Sequence, residues 1–172
     1  MALGRKVYQP IRYITERDSA IDKAQSDWSK YKSSGYDWQH IKLLPGEKAT
    51  VFTLRQLTQR QRMAREGIDN LAERLTFTIR CGVEAVENYL IERPDGSVMD
   101  LRQPEPDANN SLAPIATVKW AEEANFPNDH LVMIAAAISE ISEAQLPLSK
   151  PCVKASGAGD TEKKSPETVA AN

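Results

Sequence analysis

The chain has 172 residues, of which 41% are hydrophobic and 6% aromatic, and its formal net charge at pH 7 is -2. This length fits one domain, or one domain with a tail. No window reaches the roughly 18 apolar residues that a membrane-spanning helix needs, and the slightly acidic balance argues against broad affinity for nucleic acids.

The charge is distributed unevenly along the chain. Residues 1–80 carry fifteen Lys and Arg against nine acids, whereas residues 81–146 carry three against twelve. Two interpretations follow from this asymmetry: the two halves pair with each other inside one fold, or they present opposite charges to partners.

The N-terminal 17 residues are predicted to form an extended arm. Pro10 disfavours helix just before it, and the β-branched and aromatic residues around it suit a strand. The opening "MALGRKVYQP" has no continuous apolar segment, so we expect no signal peptide. Cys81 and Cys152 lie far apart and have no metal-like spacing, so a reducing cytoplasm is the expected location.

Residues 18–34 are predicted to form the first helix. Asp18 or Ser19 is suited to cap it, and apolar residues recur at helical spacing: Ile21, Ala24, Trp28 and Tyr31. Pro45 and Gly46 then mark a turn, and Thr50–Leu54 is predicted to be a strand.

The strongest periodic pattern lies in the middle of the chain. Thr58 and Gln61 match a capping box that starts a helix, and Gly67 interrupts that helix. A longer helix is predicted next from a stripe spaced by three and four residues: Leu71, Leu75, Ile79, Val83, Val86 and Leu90.

Later segments alternate between turns and helices. "RPDGS" predicts a hairpin within residues 88–101, and residues 102–116 are predicted to be a loop. A short helix is expected over Thr117–Asn125. A longer helix is expected to begin at Asn128 or Asp129, with an apolar stripe of Leu131, Ile134, Ala135, Ile138 and Ile141. The sequence thus predicts a mainly α fold: an arm over 1–17, a small helical domain with a short β element over 18–146, and a disordered tail over 147–172.

The sequence offers no catalytic, cofactor-binding or metal-binding residues. His40 and His130 are the only histidines, and no pattern of ligands or of a catalytic triad surrounds them. Cys81 lies in an apolar stretch without the cationic neighbours that activate a thiol. We therefore expect a protein that is not an enzyme and that needs no cofactor.

Interface chemistry selects a set of candidate partner-binding residues. Trp, Tyr and Arg are favoured anchors at protein interfaces, and core packing remains the alternative for the aromatic members. A second alternative is that the arginines contact phosphates. The candidates are Trp28, Trp38, Phe52, Arg55, Arg60, Arg62 and Trp120.

The order of several segments resembles phage tail assembly chaperones. The matching pieces are "ATVFTLRQLTQRQRMA", "RLTFTIRCGVEAVENYLIERPDGS" and "LVMIAAAISEISEA", followed by a polar tail. The resemblance implies a non-enzymatic, mostly helical viral protein that coats a tape measure protein and recruits tail tube subunits. It also implies that apolar stripes of a partner helix are buried in a groove, and it allows for a frameshifted longer form.

Two other functions remain open. One is a structural virion subunit, such as a connector, neck or minor capsid component, whose N-terminal arm interlocks with a neighbour. The other is a small nucleic-acid-binding regulator that uses the arginines. Self-association is a further expectation.

Overall fold

The computed structural model describes residues 10–144, and the predicted tail over 147–172 and the first nine residues of the predicted arm lie outside them. The elements follow one another as β1 (Ile11–Tyr13), α1 (Trp28–Ser33), a 3-10 helix (Trp38–His40), β2 (Val51–Leu54), α2 (Gln59–Glu66), α3 (Leu71–Gly82), β3 (Val83–Glu87), β4 (Leu90–Glu92), β5 (Val98–Asp100), α4 (Val118–Ala124) and α5 (Asn128–Ala144).

The predicted mainly α fold is wrong, because the described chain is mixed α/β. Antiparallel strands β1, β2 and β3 form one sheet in that order, and β4 pairs with β5 in a separate hairpin. Residues of both sheets and of α3, α4 and α5 share one hydrophobic core. Tyr13 and Ile14, from the predicted arm, belong to that core.

The long helix predicted from Leu71 to Leu90 is also wrong, because it ends at Gly82 and continues directly as β3. The register between β2 and β3 shifts where Leu54 meets Val83, a bulge that gives β3 an extra residue. Because of this bulge, Val83 and Val86 are both buried, although three positions separate them. The same spacing also fits a helix, so periodicity alone could not distinguish the two structures.

The first predicted helix is much shorter than expected. Asp27, not Asp18 or Ser19, caps α1, by accepting a hydrogen bond from the backbone N–H of Lys30. The Asp18 carboxylate instead accepts hydrogen bonds from the backbone N–H groups of Ala20, at 2.9 Å, and Thr50, at 2.7 Å. These bonds attach the segment to the chain entering β2 and leave it outside a helix.

Several other predictions are confirmed. The strand at Thr50–Leu54 is β2, the hairpin within residues 88–101 is β4 and β5, and Thr58 with Gln61 forms the capping box of α2. Thr117 caps α4, and α5 begins at Asn128 with Ile134, Ala135 and Ile138 of its predicted stripe buried.

Side chains close both outer edges of the three-stranded sheet. On β1, the Trp38 indole Nε1 donates to the Arg12 carbonyl at 3.0 Å. On β3, the Gln103 amide accepts from the Val86 N–H at 3.0 Å and donates to the Val86 carbonyl at 2.7 Å. A closed edge cannot accept a further strand at that position, which protects the sheet against edge-to-edge association.

Candidate protein-binding groove

A groove of about 270 Å³ opens between α2, α3 and α5. Leu75, Val132, Ala135 and Ala136 give it an apolar surface, and arginines stand at its rim. The full lining is Arg65, Glu66, Arg74, Leu75, Thr78, Val132, Ala135, Ala136 and Ser139. An apolar depression with a few fixed polar groups is the usual form of a recognition site.

Buried polar contacts fix α2, which forms one wall of the groove. Gln61 has no exposed surface, and its side-chain amide donates to the carbonyls of Leu112 and Pro114. Just before the helix, the Leu57 N–H donates to the Ser142 hydroxyl of α5 at 3.0 Å. These bonds hold the wall to the loop before α4 and to α5, so the groove is largely preformed.

The apolar surface exists because α3 and α5 approach closely and their hydroxyls are already occupied. An added Cβ at Gly82 would lie 2.5 Å from Ile138 Cγ2, so glycine allows this approach without displacing Ile138. Thr78 and Ser139 donate their hydroxyls to carbonyls of their own helices, at 2.8 and 2.9 Å. These polar side chains therefore add little unsatisfied hydrogen-bonding capacity to the groove.

Hydrogen bonds also hold the two rim arginines in place. Arg65 Nη1 donates to the Ser139 hydroxyl at 2.9 Å, and its Nη2 meets the Glu66 carboxylate at 2.8 Å. Arg74 donates from Nε and Nη2 to the Ile68 carbonyl, at 2.8 and 2.6 Å. The bond from Arg65 lowers the pKa of Glu66, and the positive charge of Arg65 adds to that effect. The Arg65 side chain is only 12% exposed and is paired with Glu66, so the rim holds its guanidinium groups in fixed orientations whose immobilisation costs little on binding.

The structure separates the predicted partner-binding residues into four regions: the surface beside β1, the core, α2 and the end of β2. Trp28 and Trp38 are half-buried beside β1, where the Trp28 ring lies 4.8 Å from that of Tyr31 and the Arg12 guanidinium lies 5.2 Å from the Trp38 ring centre. Phe52 and Trp120 are instead buried in the core, with 0% and 3% exposure. Their side chains contact the interior of this chain.

Of the three predicted arginines, two lie on α2 and one at the end of β2. Arg60 is exposed, and Arg62 is partly buried, with an Nε that has no hydrogen-bond partner among the described residues. Arg55 donates to the carbonyls of Cys81, at 2.8 Å, and Pro114, at 3.1 Å, and burial lowers the pKa of its guanidinium. The Arg55 side chain therefore connects the end of β2 to the segments that contain Cys81 and Pro114.

Arg65 and Arg74 are not among the partner-binding residues predicted from the sequence, and the apolar part of the groove was not predicted either. The available signal was Val132, an apolar residue outside the predicted stripe of α5 that is 49% exposed in the structure. Leu71, at the start of α3, is 65% exposed and precedes Leu75 by one helical turn on the same face. Apolar residues that extend beyond a buried stripe indicate such a surface.

The histidines and Cys81 have ordinary structural environments. His130 Nδ1 lies 3.4 Å from the Thr15 hydroxyl, and His40 Nε2 lies 3.5 Å from the Gln39 amide. Burial raises the pKa of the Cys81 thiol to about 12, which disfavours the reactive thiolate. Within residues 10–144, three or more potential metal ligands do not gather anywhere, and no helix combines the length and apolarity needed to cross a bilayer.

Comparisons of this chain with protein families, with curated proteins and with solved structures find no match. The functional interpretation therefore depends on the groove and on the resemblance of the sequence segments described above.

Proposed function

We propose that this chain is a non-catalytic protein-binding factor that covers apolar surface of a partner in the groove between α2, α3 and α5. The observation that carries the proposal is the pairing of an apolar surface with arginines already held in position. Such a site binds by removing apolar area from water, at about 25 cal/mol per Å², while the guanidinium groups select the orientation of the partner.

We further propose that the partner is a component of the phage tail, either the tape measure protein or a tail tube subunit. The support is the resemblance to tail assembly chaperones together with the shape of the groove. A ridge of side chains from a partner helix matches a depression between helices, which is a recurrent mode of recognition. Carboxylates beside that ridge would face Arg65 and Arg74.

The test compares two matched valine substitutions in this chain. Val132, in the groove, and Val118, on α4 outside it, are 49% and 50% exposed, and both lie in the early turns of helices. We expect Val132→Asp to weaken binding to a tape measure or tail tube protein encoded alongside this chain by at least about tenfold. We expect Val118→Asp to leave that affinity unchanged, as measured by titration calorimetry with the purified proteins.

Four results would contradict the proposal. Equal affinity of the two variants would remove the groove as the binding site, and absence of binding by any neighbouring tail protein would remove the assembly role. Fixed copies of the chain in purified virions would favour a structural subunit. Tight DNA binding that falls steeply as salt rises would favour a nucleic-acid regulator.

A further inference from the structure

The β4–β5 hairpin differs from the three-stranded sheet in having open edges. Trp38 and Gln103 occupy edge positions of β1 and β3. No comparable bond to the backbone of β4 or β5 from outside the hairpin is present within residues 10–144. An unblocked strand edge offers free N–H and C=O groups to another extended chain.

The pattern of hydrogen bonds identifies which backbone groups are free. The Arg93 N–H donates to Ser97, and the Leu101 N–H donates to Tyr89, both at 2.8 Å. Because hydrogen-bonded and non-hydrogen-bonded pairs alternate in an antiparallel ladder, the pairs Leu90–Asp100 and Glu92–Val98 direct their backbone groups outward. Leu90 and Glu92 thus form one open edge, and Val98 and Asp100 form the other.

The same four residues form the exposed face of the hairpin. Ile91 packs against the core from the opposite face, whereas Leu90 and Val98 are 64% and 59% exposed. Glu92 and Asp100 are also exposed, and this face carries no cation. The open edges therefore adjoin a surface on which two apolar and two acidic side chains are interspersed.

We propose that the hairpin binds an extended, basic segment of another protein by strand addition. The added strand places an apolar residue beside Leu90 or Val98 and, two positions away on the same face, a Lys or Arg beside Glu92 or Asp100. Backbone hydrogen bonds hold the segment, and alternate side chains select it. The hairpin is a second contact surface, separate from the groove, and its occupancy does not depend on the function proposed above.

Charge complementarity favours a basic segment over a second copy of the hairpin. Between residues 88 and 101 there are three acids, Glu92, Asp95 and Asp100, and one base, Arg93, which gives a net charge of -2. Two such hairpins paired edge to edge would bring carboxylates into proximity, which opposes association. A strand with Lys or Arg at alternate positions instead brings positive charges beside these carboxylates, which favours association.

A synthetic probe tests the proposal directly. The probe is a blocked nonapeptide, Thr-Val-Thr-Lys-Thr-Val-Thr-Lys-Thr, and its control replaces both lysines with glutamate. We expect the full chain to bind the lysine peptide at least about tenfold more tightly than the glutamate peptide, with an affinity that decreases as salt rises. Methylating the backbone nitrogens along one side of the lysine peptide should abolish binding, because strand addition requires those donors.

Variants of the chain then locate the edge. Val98→Pro and Leu90→Pro each remove an outward N–H without removing a hydrogen bond of the hairpin. A strand tolerates proline at such positions, because the lost N–H has no partner within the sheet. One of them should reduce peptide binding at least about tenfold, and Val132→Asp in the groove should not change it. Unchanged binding in both proline variants, or equal binding of the methylated peptide, would overturn strand addition, whatever the outcome for the groove.

Discussion

The contact between Gly82 and Ile138 sets the spacing of α3 and α5, and Gly82→Ala tests it. The added Cβ would lie 2.5, 2.6 and 2.8 Å from Ile138 Cγ2, Cδ1 and Cγ1, whereas ordinary carbon contacts lie at about 3.5–4.0 Å. Ile138 is fully buried, so the helices must separate by about 1 Å or the isoleucine must leave its rotamer.

The expected effect is a balance of two terms. Overpacking a core costs about 1–3 kcal/mol, and replacing glycine by alanine restores about 0.4–1 kcal/mol through the unfolded chain. We therefore expect Gly82→Ala to lower the free energy of unfolding by about 1–2 kcal/mol. In thermal unfolding each kcal/mol corresponds to about 2–4 °C in Tm for a chain of this size.

The destabilisation by Gly82→Ala should disappear or reverse when Ile138 is truncated. Ile138→Ala alone costs about 2–5 kcal/mol because it leaves a cavity, but it removes all three atoms that the new Cβ would meet. Gly82→Ala should then be neutral or stabilising in that background, which gives a coupling energy of about 2 kcal/mol in a double-mutant cycle.

Urea unfolding followed by circular dichroism supplies the four free energies of the cycle. Ile138→Val is a milder background, because it removes only the Cδ1 contact, and it should give an intermediate coupling. If Gly82→Ala destabilises the wild type and the Ile138→Ala variant equally, close packing of the two helices is not the reason for glycine at this position.

Two further predictions concern the sheet edge and the tyrosines. Gln103→Ala should leave the Val86 N–H and carbonyl without the partners present in the structure, and it should therefore lower the free energy of unfolding by about 1–2 kcal/mol. Light scattering should detect more self-association of this variant, whereas unchanged stability would exclude an edge-closing role for Gln103. Burial raises the pKa of Tyr31 to about 12 and also raises the pKa values of Tyr13 and Tyr36. The stability that these three groups contribute is therefore complete below about pH 10, the pKa of tyrosine in the unfolded chain, and falls as the pH rises towards the folded-state pKa values. Absorbance at the tyrosinate band should therefore show these tyrosines ionising together with unfolding, and their ionisation near pH 10 in the folded protein would contradict their burial.

Local chemistry in the sequence determined the elements whose ends carry their own signals. Thr58 and Gln61 cap α2 through bonds within one turn, and Thr117 does the same for α4. "RPDGS" supplies the turn residues between β4 and β5. The apolar spacing in α5 continues over a segment of 17 residues, which is a length typical of a helix and too long for a strand. Each of these preferences is satisfied by neighbours in the chain, so it could be predicted without the fold.

Tertiary contacts decided the rest. Val83 and Val86 form a strand because β2 lies beside them and a bulge turns both side chains inward. Asp18 joins the chain before β2 instead of capping a helix, because the Thr50 N–H lies 2.7 Å away. The candidate groove belongs to this second group, since its surface is formed by helices distant in sequence and no single helix shows it by itself.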